Sequence, residues 1–160
     1  MIRVTKTVLA ALTLALCLGA PVLAQTVPGP NAVPVARALQ LFDAICAASA
    51  KSKFRRAKVA MQVNGVDIPS PWGTPTIYSA TEDLSFQVGP QGSRTQCSMV
   101  FGTTDSAKAV ARAIAARFGA MQEVGGMTAT RDPRSGLVVL TNLPSKSGTH
   151  TIYHLALLTE

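Results

Sequence analysis

The sequence predicts an α+β domain: a single, mostly antiparallel sheet with two or three helices packed on one face, the first helix stapled to the sheet by a disulfide. Three observations predict it. Two segments, near 35–46 and 104–118, carry apolar residues at helical spacing. Several shorter runs alternate apolar and polar residues and end in Gly, Pro, Asn or Ser. These extended runs cluster on either side of the second helical segment, an order that belongs to α+β chains and not to parallel α/β ones.

The chain opens with Arg3 and Lys6, continues through the uncharged run TVLAALTLALCLGA (Thr7 to Ala20), and breaks at Pro21 before Val22-Leu23-Ala24. That order is a secretory signal with small residues where a signal peptidase reads, so residues 1–24 are expected to be removed after Ala24. The apolar run is too short for an ordinary membrane span, and none is expected after cleavage. Cys17 follows the bulky Leu16, where lipid attachment would need a small residue. The apolar run and the Val-x-Ala site are of bacterial type, and the expected location is the periplasm, or the medium after release.

Residues 25–33 read as a flexible linker, because Pro28, Gly29 and Pro30 deny it regular structure. Residues 34–160 then form one α+β domain. Pro34 suits a first helical turn. Val35, Leu39, Phe42, Ile45 and Cys46 form one apolar face. The run Lys51, Lys53, Arg55, Arg56, Lys58 follows. Residues 53–68 fit either a second helix buried through Phe54 and Met61 or a hairpin turning at Asn64-Gly65. Pro69 to Pro75 is a loop holding Trp72, and Thr76 to Ser79 a short strand. Leu84, Phe86 and Val88 alternate, as do Cys97, Met99 and Phe101 after a turn at Gly89 to Ser93.

Thr104 is read as the cap of a helix with the stripe Val110, Ala113, Ile114 and Phe118, stopped by Gly119. Met127 to Arg131 is extended, Asp132 to Gly136 a turn, Leu137 to Thr141 a strand, and Ser145 to Gly148 another turn. Thr149 to Leu158 is apolar on both faces and therefore central in the sheet.

Removing 24 of 160 residues leaves 136, with 13 Lys and Arg against 8 Asp and Glu. A modest positive charge outside the cytoplasm suits an envelope protein or an anionic lipid or lipopolysaccharide surface as partner, and the compartment excludes nucleic acid. Cys46 and Cys97 remain after cleavage. An even count in an oxidising compartment reads as a bond, and both residues face the core. Closing a loop of about 52 residues contributes about 4 kcal/mol. The alternative is a nucleophilic or redox thiol, although no Cys-x-x-Cys and no nearby base accompany either residue.

No catalytic constellation is evident. His150 and His154 would lie roughly 13 Å apart along a strand, too far for one metal ion. Glu82-Asp83 sits in a turn where both carboxylates would face water. Gly125-Gly126 precedes a strand and offers no phosphate cradle. No cofactor is expected. The candidate site is Lys51, Lys53, Arg55, Arg56 and Lys58, with Phe54 as an apolar anchor, set for an anionic surface or acidic partner. The same run also fits a solvated helix face. Trp72 marks either a ligand lip or a plug for the sheet's open end.

Phe42-x-x-x-Cys46, Gly73 beside Trp72, Leu84-x-Phe86 and Cys97-x-Met99-x-Phe101 resemble a small uncharacterised family of Gram-negative periplasmic proteins and lipoproteins. The resemblance covers about Val35 to Phe118. The family places glycine before tryptophan with a spacer, whereas here Trp72 comes first. It implies an envelope location and a disulfide, and brings no activity. The expected function is a non-enzymatic binding or envelope-accessory role. The alternatives are a small thiol-dependent or other periplasmic enzyme, or an inhibitor of a cell-envelope enzyme.

Overall fold

The computed structural model describes residues 31–125, 127–142 and 144–159; the signal read at 1–24 and the linker up to residue 30 lie outside them. The end of that linker is packed. Val33 is fully buried, its N–H donates to the Gly102 carbonyl, and Asn31 bridges to Glu82. The apolar side chain at Val33 anchors the entry to the first helix.

Helix α1 (Val35–Phe42) continues into a π-helical turn, Asp43–Ala47, and a 3-10 turn follows at Ala50–Ser52. Val35, Leu39, Phe42, Ile45 and Cys46 are all buried, as the spacing predicts. The Val35 N–H donates to the Asp105 carboxylate at 2.7 Å, so a side chain 70 residues away serves the helix start. Helix α2 is Ala57–Val63, and it ends where Gly65 takes a left-handed φ of 74°. Asn64-Gly65 therefore closes a helix instead of turning a hairpin. Only after it does β1 (Val66–Pro69) begin.

Among the described residues the sheet has nine strands: β1, β2 (Thr76–Ser79), β3 (Leu84–Gln91), β4 (Arg94–Thr103), β5 (Gln122–Val124), β6 (Met127–Arg131), β7 (Val138–Asn142), β8 (Ser145–Ser147) and β9 (His150–Leu158). Their spatial order is β1-β2-β3-β4-β9-β7-β6-β5, with β8 also pairing β9, and each neighbouring pair is antiparallel. The last strand is central, as its two apolar faces require. It fills the slot between two meanders that α3 (Ala107–Phe118) separates. The segment read as a turn at Ser145 to Gly148 is instead strand β8 with a tight reversal at Gly148-Thr149, Gly148 having φ 58°. The cap of α3 is Ser106 and not Thr104: the Ser106 hydroxyl accepts the Ala109 N–H.

The helices pack on one face of the sheet. Val35, Phe42, Ile45, Phe54, Met61, Val110 and Phe118 meet Leu84, Phe86, Met99, Phe101, Leu155 and Leu157 in one core. Phe42 and Phe118 touch edge to face, with centroids 5.8 Å apart. Cys46 and Cys97 are bonded, both fully buried, with Cα atoms 5.5 Å apart, which staples the α1 region to β4.

Candidate functional site

The basic segment leaves α1 through a turn that the backbone itself holds. Lys53 N–H donates to the Ala50 carbonyl at 2.9 Å and Phe54 N–H to the Ser49 carbonyl at 3.0 Å. The Ser49 hydroxyl donates to the Ile45 carbonyl and the Ser52 hydroxyl to the Ser49 carbonyl. Lys53 and Phe54 both take left-handed conformations, with φ 51° and 63°, which non-glycine residues adopt only when their surroundings impose it.

What imposes it is burial of Phe54, which is 2% exposed and part of the core. Phe54 is therefore buried with Met61, as the helix reading has it, and is not the apolar anchor of the basic surface. The same reversal turns Lys51, Lys53, Arg55, Arg56 and Lys58 to solvent. No acidic residue occurs between Asp43 and Asp67. Among the described residues no ion pair is formed by these five; Arg55 donates to the Ser52 carbonyl at 3.2 Å.

Two apolar residues do stand out beside them. Val59 is 62% exposed and Val63 80%, one helical turn apart on α2 and opposite its buried Ala57 and Met61. Lys51 also edges a cleft of about 390 Å³ whose other polar residues are Asp43, Arg134 and Ser135. Periodicity could have found the valines: if Ala57 and Met61 face inward, Val59 and Val63 face out.

The helix-free face of the sheet carries the remaining sequence candidates. Trp72 is 62% exposed and stands edge-on to Tyr78 at 6.4 Å, so it is no plug. Tyr78 lines a trough of about 400 Å³ with Gln87, Gln96, Ser98 and His154. His150 and His154 are on β9, and among the described residues no group of three His, Cys, Asp or Glu side chains comes together. His150 Nδ1 instead lies 2.7 Å from the Asp83 carboxylate, across Gly102, where a Cβ would overlap that carboxylate. Glu82 pairs with Arg37 at 3.5 Å. The two carboxylates read as solvent-facing are thus both engaged.

Burial pushes His154 below the ordinary histidine value of 6.5. The unfolded chain then takes up a proton near pH 6.5 while the folded one does not. Stability from this group is full above 6.5 and is lost as pH falls toward the lowered native value. The expected result is a urea midpoint that drops between about pH 7 and about pH 5.5, with the drop reduced in His154→Gln. An unchanged slope in that variant would rule His154 out as its source.

Residues that the sequence reading missed form a buried ionic network. Arg117 Nε donates to both Asp43 carboxylate oxygens at 2.8 and 2.9 Å, and Arg117 Nη1 donates to Asp132 Oδ1 at 2.7 Å. Asp132 is fully buried and also accepts the Ser135 N–H, the Ser135 hydroxyl and the Arg134 N–H. One signal was available: Arg117 falls three residues after Ile114, on the apolar stripe of α3. With both sulfurs bonded, neither Cys46 nor Cys97 offers a thiol in this state. Among the described residues no helix is long and apolar enough to cross a membrane. Comparison with family models, with curated proteins and with solved structures finds no match to this chain.

Proposed function

We propose that this protein is an exported, non-catalytic envelope protein that docks onto an anionic phospholipid surface through residues 51–63. One observation carries the reading. Five exposed cations without an acidic neighbour in sequence share a short segment with two exposed valines. Cations attract lipid phosphates while a small apolar pair enters the interface, the division of labour of a peripheral contact. Val59 and Val63 take the role first assigned to Phe54. Export is supported by the leader at residues 1–24 and by a disulfide that persists only in oxidising compartments.

Each cation near an anionic membrane contributes about 1 kcal/mol. Lys53→Glu/Arg55→Glu/Arg56→Glu is therefore expected to lower partitioning onto phosphatidylglycerol vesicles by about 100-fold or more, with phosphatidylcholine vesicles binding weakly throughout. Sedimentation with vesicles at low and high salt reads this directly. Equal partitioning of the wild type and the triple variant would end the proposal.

A further inference from the structure

Helix α3 does not seat fully on the half of the sheet built from β6, β7 and β9. Along its flank runs an open crevice of about 380 Å³, walled by Ala111, Ile114 and Ala115 of α3, by Met121, and by Tyr153 of β9. No charged side chain of the described residues lines it. Tyr153 is 6% exposed, its ring stacks on Phe101 at 5.6 Å, and its buried hydroxyl has no hydrogen-bond partner among the described residues. A buried hydroxyl without a partner is destabilising and is rare in folded proteins, so it points to a ligand atom. Burial also raises the Tyr153 phenol above its ordinary value, which keeps the hydroxyl protonated and a donor.

Beside the crevice lies a second cavity of about 370 Å³ that shares Ala107, Pro144 and Tyr153 with it. That neighbour is polar. Its walls include Thr104, Ser106, Thr151 and Lys146, whose ammonium donates to the Thr151 hydroxyl at 2.9 Å. Thr104 and Ser106 bring it to the N-terminus of the 12-residue α3, where backbone N–H groups favour an anion. Its carboxylate, Asp105, already accepts the Val35 N–H. Apolar walls, the Tyr153 side chain that both cavities share, and a polar end holding Lys146 are thus neighbours.

We propose that the two cavities together bind a single-chain anionic amphiphile. Its alkyl tail lies along α3 over Met121. Its carboxylate sits between Lys146 and the α3 N-terminus and accepts the Tyr153 hydroxyl. The site is independent of the basic segment at 51–63.

Dodecanoate, below its micelle concentration, is the probe. Titration into the delipidated protein followed by calorimetry is expected to show saturable 1:1 binding, and methyl resonances of Ile114 and Met121 are expected to shift. Tyr153→Phe should weaken binding about 10-fold, the loss of one hydrogen bond to a charged group. Lys146→Ala should weaken dodecanoate but not dodecanol. Ala111→Phe, a substitution at an exposed wall position, should block the crevice and abolish binding of both. Lys53→Glu/Arg55→Glu/Arg56→Glu should leave dodecanoate binding unchanged, which separates this site from the lipid-docking surface. Non-saturable uptake, shifts confined to other methyls, or equal affinity in Tyr153→Phe and Ala111→Phe would each overturn the assignment.

Discussion

Unfolding of the Cys46→Ala/Cys97→Ala variant is expected to require about 4 kcal/mol less than unfolding of the oxidised wild type. The bonded residues are 51 positions apart, so the bond closes a long loop in the unfolded chain and removes much of its conformational freedom. Small domains have a net stability of only about 5–15 kcal/mol, so the loss is a large share of the total. Both sulfurs are fully buried where α1 meets β4, and alanine leaves only a small void there. The effect is therefore mainly one on the unfolded state. Urea unfolding of wild type, reduced wild type and variant reads it, and the dependence on urea should steepen once the loop is open and exposes more surface on unfolding. Reduced and variant proteins should agree. A loss below about 1 kcal/mol would show that the staple does not stabilise the fold in the way loop closure requires.

Arg117→Met should destabilise by about 3–5 kcal/mol, because it leaves buried carboxylate charge without its partner. The Arg117 side chain is 8% exposed and that of Asp132 0%. Burial alone would raise Asp132; hydrogen bonds from Ser135, Arg117 and the Arg134 backbone outweigh it and hold Asp132 below its ordinary 3.8. For Arg117, burial alone would lower its value, and Asp43 and Asp132 more than compensate.

The pH dependence follows from the lowered carboxyl. The unfolded chain binds its proton near 3.8 and the native chain only below that, so this contribution is complete above 3.8 and disappears as pH falls through the native value. Without Arg117, two of the interactions that offset burial are gone while the Ser135 and Arg134 hydrogen bonds remain, so the Asp132 carboxyl is held less far down than in the wild type. The stability gap between wild type and Arg117→Met should therefore narrow in acid. Arg117→Met/Asp132→Asn should recover part of the loss at neutral pH, since a neutral amide is cheaper to bury than an unpaired charge. A constant gap from neutral to about pH 3.5, with no recovery in the double variant, would refute the charge-burial account.

Local chemistry made much of this molecule readable from its residues. Val35, Leu39, Phe42, Ile45 and Cys46 lie on one side of any helix of ordinary pitch, so their burial needed no knowledge of the partner strand. Cys97, Met99 and Phe101 share a face for the same reason in period two, and two inward-facing cysteines made the staple legible. The apolar run Leu155 to Leu158 demanded cover on both sides, which put β9 in the middle of the sheet. Charge density at 51–58 was equally plain.

Long-range placement was not readable, because it depends on which distant side chains meet. Phe54 could be read as buried beside Met61 or as a surface anchor, and packing decided for the core, where the chain reverses through two left-handed residues that propensity disfavours. Asp105 serves the start of α1, and Asp83 faces His150, across separations of 70 and 67 residues. Arg117 gathers two carboxylates from different elements, and α3 stands off β9 far enough to leave Tyr153 a crevice. Periodicity assigns a side chain to a face; what stands opposite that face is set by how helices and strands pack, and here that packing decided both the ionic network and the cavity.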